Sequence, residues 1–128
     1  MLHKKHFTLS QAQALLPEIK IKLDKIVQLK KKLDAMGFDS NTFKHLNGIS
    51  SNGTGKYPNE MIELTAIVNS ILQEGILIKD IDTGLIDFPH IRKNKEEIYL
   101  CYLLGEDEIE FWHRIDDGFP GRRPIEDI

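Results

Sequence analysis

The sequence has one cysteine, Cys101, and no long apolar run. A single thiol cannot form an intrachain disulfide, which fits a reducing compartment such as the cytosol. No segment approaches the roughly 18 consecutive apolar residues of a membrane-spanning helix. The first residues, MLHKKHF, lack the apolar segment of a signal peptide. We therefore expect a cytoplasmic protein with no membrane partner.

The sequence also lacks a large excess of either charge. It has 17 Lys and Arg against 20 Asp and Glu, a formal net charge of −3 over 128 residues. The net charge therefore gives no general electrostatic attraction to nucleic acid or anionic lipid. Lysines cluster in residues 1–36, but no surface of aromatic side chains accompanies them, and a solvated helix face explains them better. Nucleic-acid binding is therefore unexpected, and the length predicts one domain, residues 1–128.

The first helix is predicted over residues 9–36. Thr8 followed three residues later by Gln11 matches a capping box, which satisfies free amides at a helix start. Apolar residues then recur at spacings of three and four, the period of a helix with one buried face. Pro17 predicts a kink, because it has no N–H to donate to the preceding turn.

A second helix is predicted over residues 58–74, opened by Pro58 and marked by the same apolar spacing. Residues 37–57 between the two helices are rich in Gly, Ser and Asn. A connection of that length and composition predicts a flexible segment. The two stripes together predict an antiparallel helical hairpin.

The apolar period changes to two after the second helix, which predicts an antiparallel β-meander of about four strands over residues 76–116. Pro89 is expected to stop the second of these strands. Residues 117–128 read as a tail rich in Gly, Pro and Arg. The predicted fold is therefore α+β, with a kinked helical hairpin packed on a small antiparallel sheet.

The register of the last two strands can be predicted from the turn between them. If residues 105–108 form that turn, Leu104 lies opposite Ile109 and alternation places His113 on the more apolar face, toward the helices. Cys101 and Trp112 then lie on the opposite face. In this register Cys101 and His113 could not bind one metal ion together.

Three segments together resemble one known family. They are FTLSQAQALLP near the start, GILIKDIDTGLIDFP in the middle and LCYLLGEDEIEFWHRIDDGFPGRRP near the end. The chain resembles the DUF2203 family, small uncharacterised proteins of bacteria and archaea, and the motifs cover roughly half of the chain. The resemblance implies no activity, cofactor or partner. It directs attention to the polar residues of the motifs, which are Asp80, Asp87, Cys101, Glu106, His113 and Arg122.

The strongest candidate for chemistry is His113. A histidine on an apolar face is more often a core residue held by one hydrogen bond, and Asp87 is its expected partner. The same pair could serve acid–base catalysis, and with Glu106 it could bind a divalent metal. Cys101 is expected to be a small packed side chain rather than a redox thiol.

The tail offers a candidate anion site at Gly121, Arg122 and Arg123. Glycine lets backbone amides turn inward, and guanidinium groups suit phosphate or carboxylate. The favoured alternative is that Arg122 forms an ion pair with a nearby acid and fixes the tail to the sheet. Its possible partners are Asp116, Asp117 and Glu106.

Two functions from different classes remain open. The leading hypothesis is a small binding or assembly module that forms a homodimer through its helices, because their apolar stripes exceed what four short strands can cover. The alternative is a metal-dependent or acid–base enzyme using His113, Asp87 and Glu106. An enzyme needs these side chains together in an open pocket, whereas a module should show them paired and buried.

Overall fold

The fold is known from a computed structural model, which describes residues 1–38 and 57–128. Two helices pack on one face of a five-stranded antiparallel sheet. The elements are α1 (Leu9–Ala35), α2 (Asn59–Gln73), β1 (Leu77–Asp80), β2 (Leu85–Ile91), β3 (Glu97–Leu103), β4 (Phe111–Arg114) and β5 (Arg123–Pro124). This confirms the predicted α+β class. Most of the predicted flexible connection, residues 39–56, lies outside the described residues.

The predicted capping box opens α1. The Gln11 amide donates to Thr8 Oγ1 over 3.0 Å, and the Thr8 amide donates to Gln11 Oε1 over 2.9 Å. Two amides that no helical carbonyl could satisfy are thereby bonded. Pro17 lies inside α1 and does not end it. The kink expected there stays a prediction.

The apolar stripes of both helices face the sheet and form the core with its inner face. Each stripe residue is at most 5% exposed, and burying such a side chain contributes about 1.5–3 kcal/mol. The stripe residues are Leu16, Ile19, Leu23, Ile26, Leu29 and Leu33 of α1 and Met61, Leu64, Val68 and Ile71 of α2. Within the described ranges, no helix is long and apolar enough to cross a membrane.

The sheet has one more strand than predicted. Its order is β1-β2-β3-β4-β5, and β5 comes from the tail that the sequence analysis described as a loop. Phe111 pairs with Pro124 and Trp112 pairs with Arg123. A proline is compatible with this position because β5 is an edge strand, where one N–H faces no neighbour.

The expectation that Pro89 stops the second strand is wrong. The strand β2 continues through Pro89 to Ile91, and Pro89 pairs with Tyr99 of β3. β1 pairs with β2 only as far as Asp87, so Pro89 lies at a local edge of the sheet. The missing N–H of Pro89 therefore costs little. The Pro89 carbonyl accepts a hydrogen bond from the Phe7 amide over 2.7 Å.

The predicted register of β3 and β4 is wrong by one residue. Leu100 pairs with Trp112 and Tyr99 pairs with His113, whereas the predicted turn would have paired Leu100 with His113. Because side chains alternate between faces, a shift of one residue reverses the face of every side chain in β4. Trp112 therefore lies in the core, and His113 lies on the face away from the helices with Cys101.

The register differs because residues 104–110 do not form a tight turn. Gln13 of α1 bonds both backbone groups of Ile109: its Nε2 donates to the carbonyl over 3.1 Å and its Oε1 accepts from the amide over 3.0 Å. The Glu106 carboxylate accepts from the Leu103 amide over 2.7 Å. These bonds replace the strand pairing that the shorter turn would have required.

The carboxylate of Glu97, at the start of β3, bonds three groups of the N-terminal segment. It accepts hydrogen bonds from the Leu2 amide at 2.8 Å, the His3 amide at 3.0 Å and His6 Nε2 at 2.7 Å. Partial burial raises the pKa of this carboxyl, but the bond from His6 and the two amides outweigh burial and lower the pKa to about 2.

We predict that Glu97 contributes stability above its ordinary pKa of 4.5 and that this contribution is lost as pH falls toward 2. The contribution should be about 1–2 kcal/mol, since the carboxylate lies near solvent. Urea unfolding of the parent and of Glu97→Gln, measured from pH 6 to about pH 2, checks it. A difference in unfolding free energy that stays constant across this range would contradict the assignment.

Candidate functional site

Three chemically reactive side chains meet on the face of the sheet that the helices do not cover. Asp87 lies in β2, Cys101 in β3 and His113 in β4. Asp87 is the register partner of Cys101, and His113 pairs with Tyr99, two residues before Cys101. Residues two apart in a strand share a face. The three side chains therefore converge across the central strand, and all three are at most 2% exposed.

The expected contact between Asp87 and His113 is present. His113 Nε2 lies 3.0 Å from Asp87 Oδ1 and 3.1 Å from Oδ2. The strands that carry Asp87 and His113 flank β3, so the contact passes over that strand. His113 is a buried, hydrogen-bonded histidine as expected, although on the other face of the sheet.

The hydrogen bonds of His113 fix where its protons lie. Nδ1 is 2.7 Å from the Arg114 carbonyl oxygen, which can only accept, so Nδ1 carries a proton. Nε2 faces both carboxylate oxygens of Asp87, which accept a hydrogen bond from it when it carries a proton. Burial of the ring lowers the pKa of His113, but the hydrogen bonds to Asp87 and to the Arg114 carbonyl, with the charge of Asp87, outweigh burial and raise it.

Cys101 is fully buried, and its Sγ lies within 4.8 Å of a carboxylate oxygen of Asp87 and a ring nitrogen of His113. Burial and then the negative charge of Asp87 raise the pKa of the thiol to about 12, although the nearby Arg122 opposes the shift. Since the thiolate is the reactive form, this cysteine is unsuited to nucleophilic or redox chemistry at neutral pH. Its burial agrees with the expected packed side chain.

Glu106 does not join His113, so the predicted set of His113, Asp87 and Glu106 is not brought together. Glu106 pairs instead with Arg122, whose Nη1 lies 3.1 Å from Oε1 and 3.0 Å from Oε2. The guanidinium lies 4.1 Å from the ring centres of both Phe111 and Phe119. The favoured interpretation of Arg122, an ion pair that fixes the tail to the sheet, is confirmed.

The candidate anion loop uses its own amides internally. The Gly121 amide donates to the Gly118 carbonyl, and the Arg122 amide donates to the Phe119 carbonyl, each over 3.1 Å. Arg123 is exposed and lies 5.5 Å from the Trp112 ring centre. Arg122 is engaged with Glu106, and the anion site at Gly121, Arg122 and Arg123 stays a prediction.

One residue of this face, Tyr99, was missed by the sequence analysis. Tyr99 packs against His113 with ring centres 5.5 Å apart, and its hydroxyl lies 2.6 Å from His3 Nε2. The pairing of Tyr99 with His113 could have been found only from the correct register.

Asp80, singled out by the resemblance, accepts a hydrogen bond from the Asp82 amide over 2.9 Å and supports the turn after β1.

Comparison with known proteins gives one match. A family model described as "Uncharacterized conserved protein (DUF2203)" matches residues 5–125 of the 128-residue chain. No curated protein and no solved structure matches. The match covers the helices, the sheet and the group of Asp87, Cys101 and His113, called the buried cluster below. The description of the family names no activity.

We predict that Asp87→Ala destabilises the fold by about 3–5 kcal/mol, because it leaves a buried imidazole without its partner. The double variant with His113→Ala should cost about 1–3 kcal/mol less than the sum of the single variants. Urea unfolding of all four proteins measures this coupling. Asp80→Ala is the control, with an expected cost of about 1 kcal/mol. Additive costs at Asp87 and His113 would contradict a direct interaction.

Proposed function

The chain belongs to the DUF2203 family, whose description names no activity, and on that premise we propose that it is a small cytosolic binding and assembly module rather than an enzyme. The proposal is carried by the pairing inside the site. His113 is paired with Asp87 and Arg122 with Glu106, each with a shortest distance of 3.0 Å. Charged groups that neutralise one another in a closed site are suited to fixing a structure.

A surface groove away from Asp87, Cys101 and His113 offers a place for a partner to bind, which supports the same proposal. A groove of about 420 Å³ lies beside the N-terminal segment and is lined by residues such as Lys5, Phe7, Leu15 and Glu74. None of the residues that line it belongs to the buried cluster. The cytosolic setting remains the interpretation drawn from the single cysteine.

We propose that the module associates with a second copy of itself through its helices. Most of the predicted stripe residues are buried within the chain itself, although Met36 and Leu72, which also belong to the predicted stripes, are 48% and 43% exposed. Apolar side chains outside the stripes support it as well. Ile21 of α1 is 74% exposed and Ile62 of α2 is 42% exposed.

The charges on the outer surface of the helices suit the pairing of two identical copies of the chain. Lys25 lies one helical turn after Ile21, and Glu63 follows Ile62. Lys25 Nζ and Glu63 Oε2 are 3.5 Å apart, and about half of each side chain is exposed. Around a twofold axis, a surface with both charges can place Lys25 of one copy against Glu63 of the other, as self-complementary interfaces require.

We predict a reversible dimer across the micromolar range, which Ile21→Glu with Ile62→Lys should weaken about tenfold or more by placing charges in an apolar contact. This pair of substitutions leaves the net charge unchanged. Sedimentation equilibrium at several concentrations measures the association. The control is Leu2→Gln, which changes an exposed apolar residue away from the helices. A monomeric parent, or equal effects of both changes, would contradict association through the helices.

The second candidate function is an acid–base enzyme using His113 and Asp87, favoured by their hydrogen bond. It would require access to the buried pair, and Cys101 beside them reports on that access. We predict that an aromatic disulfide reagent labels the native protein about 100-fold or more slowly than the unfolded chain. Labelling as fast as in the unfolded chain would contradict a closed site and favour the enzyme.

A further inference from the structure

The buried cluster holds three metal-ligand types within reach of one ion. A carboxylate oxygen of Asp87, Sγ of Cys101 and a ring nitrogen of His113 all lie within 4.8 Å of one another. Ligands around a tetrahedral zinc ion, at about 2.0–2.3 Å from the metal, are separated by roughly 3.3–3.8 Å. A contraction of roughly 1 Å would therefore complete three corners of a tetrahedron.

We propose that Asp87, Cys101 and His113 bind one divalent transition-metal ion of the zinc class through one oxygen, one sulfur and one nitrogen. This donor set suits zinc, cobalt(II) and iron(II), whereas magnesium and calcium prefer oxygen ligands throughout. The ligands differ from those predicted from the sequence, because Cys101 replaces Glu106. The proposal goes beyond the module function and does not depend on self-association.

The orientation of His113 suits this role. Its Nδ1 donates to the Arg114 carbonyl, which fixes the ring and directs Nε2 toward Asp87. Metal-binding histidines commonly have this arrangement, in which one nitrogen donates to a carbonyl or carboxylate and the other binds the ion. The ring orientation is therefore set before an ion arrives, with Nδ1 keeping its proton and Nε2 free to bind the ion once it has none.

The surroundings determine the remaining coordination position. Within the described ranges, no fourth His, Cys, Asp or Glu joins the three donor atoms. Glu106 is engaged by Arg122 and by the Leu103 amide. A water molecule is the fourth ligand that this arrangement allows, in a site otherwise enclosed by protein.

The test uses cobalt(II) as a spectroscopic probe. The full chain is unfolded with a chelator, freed of it, and refolded with one equivalent of cobalt(II), so that access to a buried site cannot limit binding. We expect a near-ultraviolet thiolate-to-cobalt charge-transfer band, visible bands of tetrahedral intensity, and saturation at one ion per chain. Loss of these bands on adding zinc(II) would support binding of both ions at one site.

Matched variants assign the ligands. Cys101→Ser should lose the charge-transfer band, and His113→Ala should bind cobalt(II) about tenfold or more weakly. The control His90→Gln removes an imidazole outside the cluster and should retain band and affinity. Circular dichroism shows which variants refold. If the refolded parent shows no band, or if His113→Ala binds as tightly as the parent, the proposal is wrong.

Discussion

The hydrogen-bonded register of β3 with its two neighbours holds the core and the candidate site in place together. Its alternate residues Ile98, Leu100 and Tyr102 face the helices, and Tyr99 and Cys101 face the other way. A slip of one residue would place a tyrosine and a thiol in the core and leave the site without its cysteine. The packing energy of the inner face therefore also specifies the geometry of the outer face.

The outer face contains a buried ion pair in a protein of modest size. Removing Asp87 and His113 from water costs several kcal/mol for each charge, and their attraction offsets this only with good geometry. A pair of apolar residues could fill the same space without that cost. An apolar pair would lack the oxygen and nitrogen donors of Asp87 and His113, which the metal proposal uses.

Local patterns in the sequence predicted much of the fold. The capping box at Thr8 and both apolar stripes follow from spacing, whereas the contact of His113 with Asp87 was expected from residue type and occurs on the other face of the sheet. The fifth strand was missed because Pro124 is a poor strand residue except at an edge. Cys101 was separated from His113 because the turn after β3 was assigned from its residue types alone.

The sequence by itself determined which segments form the helices and the first four strands, and which helix faces are buried, because those signals act between residues a few positions apart. Only the tertiary structure decided the register of β4 and hence the membership of the site. The segment before β4 is held by hydrogen bonds between Gln13 and Ile109, which are 96 positions apart in the chain. Contacts at that separation leave no mark in local spacing, so local spacing could not tell which face of the sheet carries His113.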